Sequence, residues 1–252
     1  MTGCGRKLGP YDCCTVVCGD CLELMKALPD GCVDAVITDP PYGITQECDL
    51  TACGIKRYGR VFFGDWDGTF PLAILESLSS LNAGTYYIFC PYQVLGELSA
   101  WAKRNELQQR VLWWKKTNPA RRNGDVYWSI PGEHCFFAKR SGAIFNAKYE
   151  VGFFEHSVVH RRNHPTEKPL DLITVLVSAS TVEGQTIFDP FLGSGTTAVA
   201  AKKLGRHFLG FEINPDYCQI AEERIALVEA QPNLFEKKPL QMGLEVPDVQ
   251  RS

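Results

Sequence analysis

No run of about 18 consecutive apolar residues occurs in the 252-residue chain, which excludes a helical membrane span. No internal repeat and no low-complexity block occurs, so a solenoid is not expected. The opening stretch Met1-Thr2-Gly3-Cys4-Gly5-Arg6-Lys7 leads into no apolar block, so a secretory signal is not expected and a cytoplasmic location is. Without export, the 11 cysteines should stay reduced rather than form a disulfide framework. A Cys-x-x-Cys pair occurs at Cys18 and Cys21, just after Cys13 and Cys14, but the four-ligand spacing of zinc sites is missing. Cys18 falls on a short strand, where a buried thiol packs as a small hydrophobe, and His134-Cys135 reads as strand packing; no metal is expected.

What is present suits a single α/β domain: 45% hydrophobic residues in one chain of this length can build a full core. The most informative segment is Asp39-Pro40-Pro41-Tyr42, which closes the apolar run at residues 33–38. That run reads as a buried strand of a parallel sheet, and ligands of such sheets collect at the carboxyl ends of the strands. The residue types suit alkylation of an exocyclic amine on a planar base. Such a nitrogen is a weak nucleophile because its lone pair is delocalised into the ring, and two acceptors binding its N–H groups favour a tetrahedral nitrogen. Asp39 and the Pro40 carbonyl supply two acceptors, consecutive prolines stiffen them, and Tyr42 offers a stacking face. By itself the tetrapeptide also reads as a simple strand-ending turn.

A second segment, Asp189-Pro190-Phe191-Leu192-Gly193-Ser194-Gly195-Thr196-Thr197, reads as strand, glycine turn, helix. The next strand, at residues 207–211, ends in Glu212, and an acidic residue about 20 positions beyond a glycine turn accepts hydrogen bonds from ribose hydroxyls. The turn lacks the third glycine of the dinucleotide fingerprint and has no following lysine, so a nicotinamide dinucleotide and a nucleoside triphosphate both fit poorly.

Together the two segments resemble the amino DNA methyltransferases, which carry the methyl group of S-adenosyl-L-methionine to adenine N6 or cytosine N4. The order, catalytic motif before cofactor loop, is that of the β group, with its circularly permuted motif order. The resemblance implies a Rossmann-like α/β methyltransferase fold with a seven-stranded, mostly parallel sheet whose last pair contains an antiparallel member. It implies catalytic roles for Asp39, Pro40, Pro41 and Tyr42, and a cofactor set of Asp20, Cys21, Thr166, Lys168, Asp189, Phe191, Gly193, Ser194, Gly195, Thr196, Glu212 and Ile213. Lys168, in His164-Pro165-Thr166-Glu167-Lys168-Pro169, is the expected partner of the cofactor carboxylate, and Asp20 the acceptor for its adenine amine. Aspartate at the head of the motif goes mostly with adenine in this family and serine with cytosine, so a flipped adenine in DNA is the expected target. A homodimer is common in similar enzymes.

Net charge is only −3, yet residues 103–168 hold 13 Lys plus Arg against 6 Asp plus Glu, a segregation typical of nucleic-acid binding. Candidate DNA contacts are Lys56, Arg57, Arg60, Lys115, Arg121, Arg122, Trp128, Arg161 and Arg162, and candidate target-recognition elements are residues 43–67, 118–132 and 141–163. Helices are expected at 22–28, 72–81, 94–102 and 170–179, and a last one opens at Asn214-Pro215. Residues 142–162 show neither helical nor strand period, and residues 233–252 are expected to form a loose tail.

Overall fold

The computed structural model describes residues 4–42, 70–118, 132–148, 150–159 and 167–230. A short hairpin, β1 (Lys7–Leu8) and β2 (Tyr11–Asp12), precedes the main sheet. Then follow β3 (Thr15–Cys18), α1 (Cys21–Met25), β4 (Ala35–Thr38), α2 (Ile74–Leu81), β5 (Thr85–Cys90) and α3 (Leu95–Arg104). β6 (Gln108–Lys116), β7 (Gly132–Lys139) and β8 (Phe153–His156) come next, and the chain continues through α4 (Leu170–Ser180), β9 (Thr186–Asp189), α5 (Thr196–Lys203), β10 (His207–Glu212) and α6 (Pro215–Ala230).

The helices start and stop where local chemistry dictates. Asp20 caps α1, its Oδ1 accepting from the Leu22 and Glu23 amides. Asn82 ends α2 in the left-handed conformation, φ +52°, a common choice after glycine. On α3, Leu98 and Trp101 turn fully inward, as the i, i+3 spacing requires, and the Trp101 indole N–H is satisfied by the Leu75 carbonyl at 2.9 Å.

The sheet order is β3-β10-β9-β4-β5-β7-β6-β8, and β7 alone runs against the rest. Strand alternation sends neighbouring residues to opposite faces. Val36, Tyr86, Ile88 and Phe188 pack with α1, α2 and α3, whereas Ala35, Ile37, Tyr87 and Ile187 pack with α4, α5 and α6. The sheet is thus buried on both sides along its parallel half, which is why those strands read as continuous apolar runs.

One expectation needs correcting. Among the described residues the main sheet has eight strands, not seven, because Phe153–His156 adds to the edge of β6 in parallel, with Trp113 opposite Phe153 and Lys116 opposite His156. Its sequence, Phe-Phe-Glu-His, carries no apolar alternation; edge pairing makes it a strand, so local pattern could not reveal it. An antiparallel member is present as β7, but it lies between β5 and β6 rather than in the last pair, because β8 adds in parallel beyond β6.

Candidate active site

Strand order reverses between β9 and β4. From β9 the chain proceeds outward to β10 on one side, and from β4 to β5 on the other. At such a switch point the connecting loops part and leave a crevice beyond the strand ends. Asp189 ends β9, Asp39 directly follows β4, Glu212 ends β10 and Asp20 follows β3, so four carboxylates from distant sequence meet at one edge. All four line one cavity of about 380 Å³, a volume typical of small-molecule sites.

One half of the cavity is the glycine loop. The Asp189 carboxylate accepts from the Phe191 amide at 3.0 Å, and burial pushes its carboxyl up to about 7 against the pull of Thr197, Phe191 and Thr38. Glu212 spans the loop: one oxygen accepts from the Gly193 amide at 2.7 Å and the other from the Asn214 amide at 2.8 Å. Each oxygen keeps a lone pair for a further donor. Gly195 opens α5 at φ +86°, and a Cβ there would stand 3.0 Å from the Ala221 Cα, so only glycine lets α5 close on α6.

The other half is a buried ionic cluster. Lys168 donates to Asp39 Oδ2 and lies 3.1 Å from Glu133 Oε2, while Lys116 reaches Glu133 Oε1 at 2.5 Å. The Lys168 ammonium also stands 5.0 Å from the Phe89 ring centre and 5.6 Å from that of Tyr42, whose hydroxyl bonds Glu133 at 3.3 Å. Burial pushes the Asp39 carboxyl up, Lys168 pulls against it, and Glu133 adds to the rise. Burial would raise Glu133 too, but Lys168 and Lys116 outweigh it and bring that carboxyl down to about 2. The two carboxylates in turn hold the Lys168 ammonium above its ordinary value despite burial. Asp39 Oδ1 is buried and has no hydrogen-bond partner among the described residues.

The sequence-predicted residues largely converge. Asp39, Pro40, Pro41 and Tyr42 line the cavity with Asp20, Cys21, Lys168, Asp189, Phe191, Gly193, Ser194, Thr196, Glu212 and Ile213. Gly195 stands behind them as the helix opening. Lys168, the expected partner of the cofactor carboxylate, is bonded here to Asp39, because the segment leading into α4 passes beside the end of β4. Of the candidate DNA contacts, Lys115 lies on β6 away from the cavity, paired with Glu155 of β8 at 2.6 Å. Thr166, Lys56, Arg57, Arg60, Arg121, Arg122, Trp128, Arg161 and Arg162 lie outside the described residues.

Two participants were missed. Glu133 heads the apolar strand β7, and a lone acid there was the available signal, since a buried charge needs a partner. Arg224 on α6 donates to the Ser194 carbonyl at 2.6 Å and to its hydroxyl at 2.8 Å, and pairs with Glu167 at 2.8 Å, tying the glycine loop to the Lys168 segment. Nothing in the charged run along α6 singled it out.

A nucleoside-binding half set against a buried acceptor carboxylate defines a group-transfer enzyme with a nucleoside-bearing cofactor. The family described as DNA methylase matches residues 97–223, just over half of the chain. The chain belongs to that family and is an amino DNA methyltransferase. The match takes in the glycine loop, Glu133 and Lys168 but not Asp39 to Tyr42.

The Type II methyltransferase M.HinfI of Haemophilus influenzae is 25% identical over 270 residues, covering 90% of this chain and 72% of the relative. The crystal structure of the M1.HpyAVI-SAM complex superposes with a TM-score of 0.64 at 26% identity, over 83% of this chain and 98% of that one. PvuII DNA methyltransferase, cytosine-N4-specific, shares the fold, with a TM-score of 0.62 at 15% identity over 88% of this chain and 93% of that one. The cofactor is S-adenosyl-L-methionine. The residues present fit it: strand-end acceptors at Asp20 and Glu212 and a glycine cradle line one cavity. Among the described residues no helix is long and apolar enough to cross a membrane.

Proposed function

We propose that this chain methylates the exocyclic N6 of a flipped adenine in DNA. One observation carries the reading: Asp39 is anchored through Oδ2 by Lys168, and its buried Oδ1 has no donor among the described residues. A buried carboxylate oxygen without a donor is costly, and a site that keeps one is built to receive an N–H from outside. The target amine supplies that N–H, and the Pro40 carbonyl supplies the second acceptor. Binding both N–H groups withdraws the lone pair from the ring and aims it across the cavity. Tyr42 stacks the base, a contact worth roughly 1–3 kcal/mol, and its hydroxyl bond to Glu133 helps fix the ring. When bound, S-adenosyl-L-methionine supplies an electrophilic methyl on a sulfonium that is already an activated leaving group.

Adenine is favoured over cytosine by the aspartate heading the motif. The motif order supports assignment to the β group and a single methyltransferase domain over residues 1–252 with a tail at 233–252. The target would be read by residues 43–67, 118–132 and 141–163 with the basic and aromatic residues Lys56, Arg57, Arg60, Lys115, Arg121, Arg122, Trp128, Arg161 and Arg162. The likeness to a Type II methyltransferase supports a place in restriction-modification. Action as a homodimer in the cytoplasm completes the reading, and sedimentation of the protein with and without DNA tests the dimer.

The functional test is mass spectrometry of nucleosides from DNA of cells expressing the chain, beside an Asp39→Ala control. N6-methyladenine in the first and none in the second is expected. N4-methylcytosine would transfer the reading to the cytosine enzyme, methylated RNA alone to an RNA enzyme, and cofactor binding without any transfer to a silent DNA-binding regulator. Asp39→Ala should bind cofactor nearly as well as the parent; a mutant that loses cofactor affinity would show that Asp39 belongs to the other half of the cavity.

A further inference from the structure

At the opposite end of the sheet from the active site, four soft ligands converge. Cys4 precedes β1, Cys13 and Cys14 form the turn between β2 and β3, and His207 opens β10. Their sulfur and ring-nitrogen atoms all lie within 4.8 Å of one another. Cys13 Sγ is 3.7 Å from Cys14 Sγ, and Cys14 Sγ is 3.5 Å from His207 Nδ1. A tetrahedral zinc with ordinary Zn–S and Zn–N bonds puts two sulfurs about 3.8 Å apart and a sulfur and a nitrogen about 3.5 Å apart. A disulfide would need roughly 2.05 Å, and the described cysteines are free.

The backbone is arranged for this convergence. Side chains of consecutive residues in extended chain point apart, but Cys14 sits in the left-handed region at φ +63°, which turns its thiol toward that of Cys13. A non-glycine residue holds that conformation only where its surroundings impose it. Here the Cys13 amide donates to the Arg6 carbonyl at 2.9 Å and the Cys14 amide to the Phe208 carbonyl at 2.7 Å, so hairpin and β10 pin both residues. Three thiols and an imidazole facing one point gain little as hydrogen-bond partners, since a thiol is a weak donor and acceptor.

We propose that Cys4, Cys13, Cys14 and His207 bind one zinc ion that fastens the N-terminal hairpin and the entry of β3 to the start of β10. The Cys3His set is complete, leaving no coordination position for a substrate, so the site is structural. Both strands it joins carry expected cofactor residues at their far ends, Asp20 after β3 and Glu212 on β10; Glu212 lies five positions beyond His207, roughly 16 Å of strand. Chain spacing hid the site because His207 lies 193 residues from Cys14.

The test is the metal content of the full chain, purified without chelator from cells supplied with zinc. One zinc per chain is expected. Titration with a mercurial in the presence of a metallochromic dye should release that zinc as the thiols react, and the cobalt-substituted protein should show tetrahedral d–d bands with thiolate charge transfer. Cys4→Ser, Cys14→Ser and His207→Ala should each drop the zinc content to near zero and lower the melting temperature. Cys18→Ser, which changes the exposed thiol of the Cys-x-x-Cys pair, should keep the zinc. If the variants fail to fold, the mercurial and cobalt measurements on the unaltered chain still decide. Substoichiometric metal in zinc-supplied protein, zinc that follows Cys18 instead, or a Cys13–Cys14 or Cys4–Cys13 disulfide in peptide maps would overturn the proposal.

Discussion

Replacing Lys168 with methionine keeps most of the side-chain volume and removes the cation bonded to Asp39. Lys168 is 6% exposed and bonds both Asp39 and Glu133, so its loss leaves two largely buried carboxylates without their shared cation. Deleting one member of a buried ion pair typically costs about 3–5 kcal/mol. Protonation of a carboxyl relieves part of that cost, and Asp39 is the one to protonate. Burial and Glu133 already push it up, Lys168 is the largest opposing influence with the Tyr42 hydroxyl a smaller one, and Glu133 retains Lys116. A protonated Asp39 offers a donor where the target amine needs an acceptor, so activity falls as pH drops through its titration. Without Lys168 that acid limb moves to higher pH, and each unit of movement removes about tenfold in activity on the acid side. Near neutral pH the single-turnover rate of methyl transfer should fall by roughly 10²–10³-fold, the usual effect of losing a preorganised electrostatic contact, and should recover in part at alkaline pH. Single-turnover transfer of labelled methyl across a pH series, beside cofactor titration at each pH, measures both. An unshifted acid limb with the whole loss in cofactor affinity would refute the reasoning and return Lys168 to the cofactor carboxylate.

Arg224→Met should weaken cofactor binding by roughly tenfold, about 1.4 kcal/mol, with kcat little changed, because it unties the Ser194 loop rather than the catalytic acid; isothermal titration with steady-state kinetics separates the two. Gly195→Ala should destabilise the fold by about 2–4 kcal/mol, from a left-handed φ and a Cβ forced against Ala221, read as a lower urea midpoint with unchanged slope. The Asp189 carboxyl, at about 7 in the fold against its usual 3.8, binds its proton more tightly folded than unfolded. Stability of the cofactor-free protein therefore falls as pH rises between those values, and the penalty is complete above about 7. Asp189→Asn should be more stable than the parent by up to roughly 4 kcal/mol at alkaline pH, and the two should converge in acid; equal stabilities throughout would contradict a buried, ionised Asp189.

Much of the site could be read along the chain because its parts are local. An apolar run broken by Asp39-Pro40-Pro41 marks a strand end, and Gly193 and Gly195 before an alanine-rich helix mark a ligand turn, whatever the rest of the molecule does. Helices α3 and α4 and strands β3, β9 and β10 were legible for the same reason: alternation and helical period are properties of neighbouring residues. The N-terminal hairpin, two residues to a strand, is too short to show a period. The eighth strand exists only by pairing with β6, and its own four residues argue for nothing.

Which charges meet is a different kind of information. Asp39 and Lys168 stand 129 positions apart, and Cys14 and His207 stand 193 apart. No local preference links either pair; both meetings follow from the order in which the strands assemble. Buried charges and soft ligands take the partners that the sheet brings within reach, because leaving them alone out of water costs more than any sequence neighbour can repay. The chain's own pattern therefore settled the kind of fold and the position of the acceptor and the cofactor turn. Tertiary packing decided that Lys168 pairs with Asp39, that Glu133 and Arg224 join the residues around the cavity, and that one oxygen of Asp39 has no partner among the described residues.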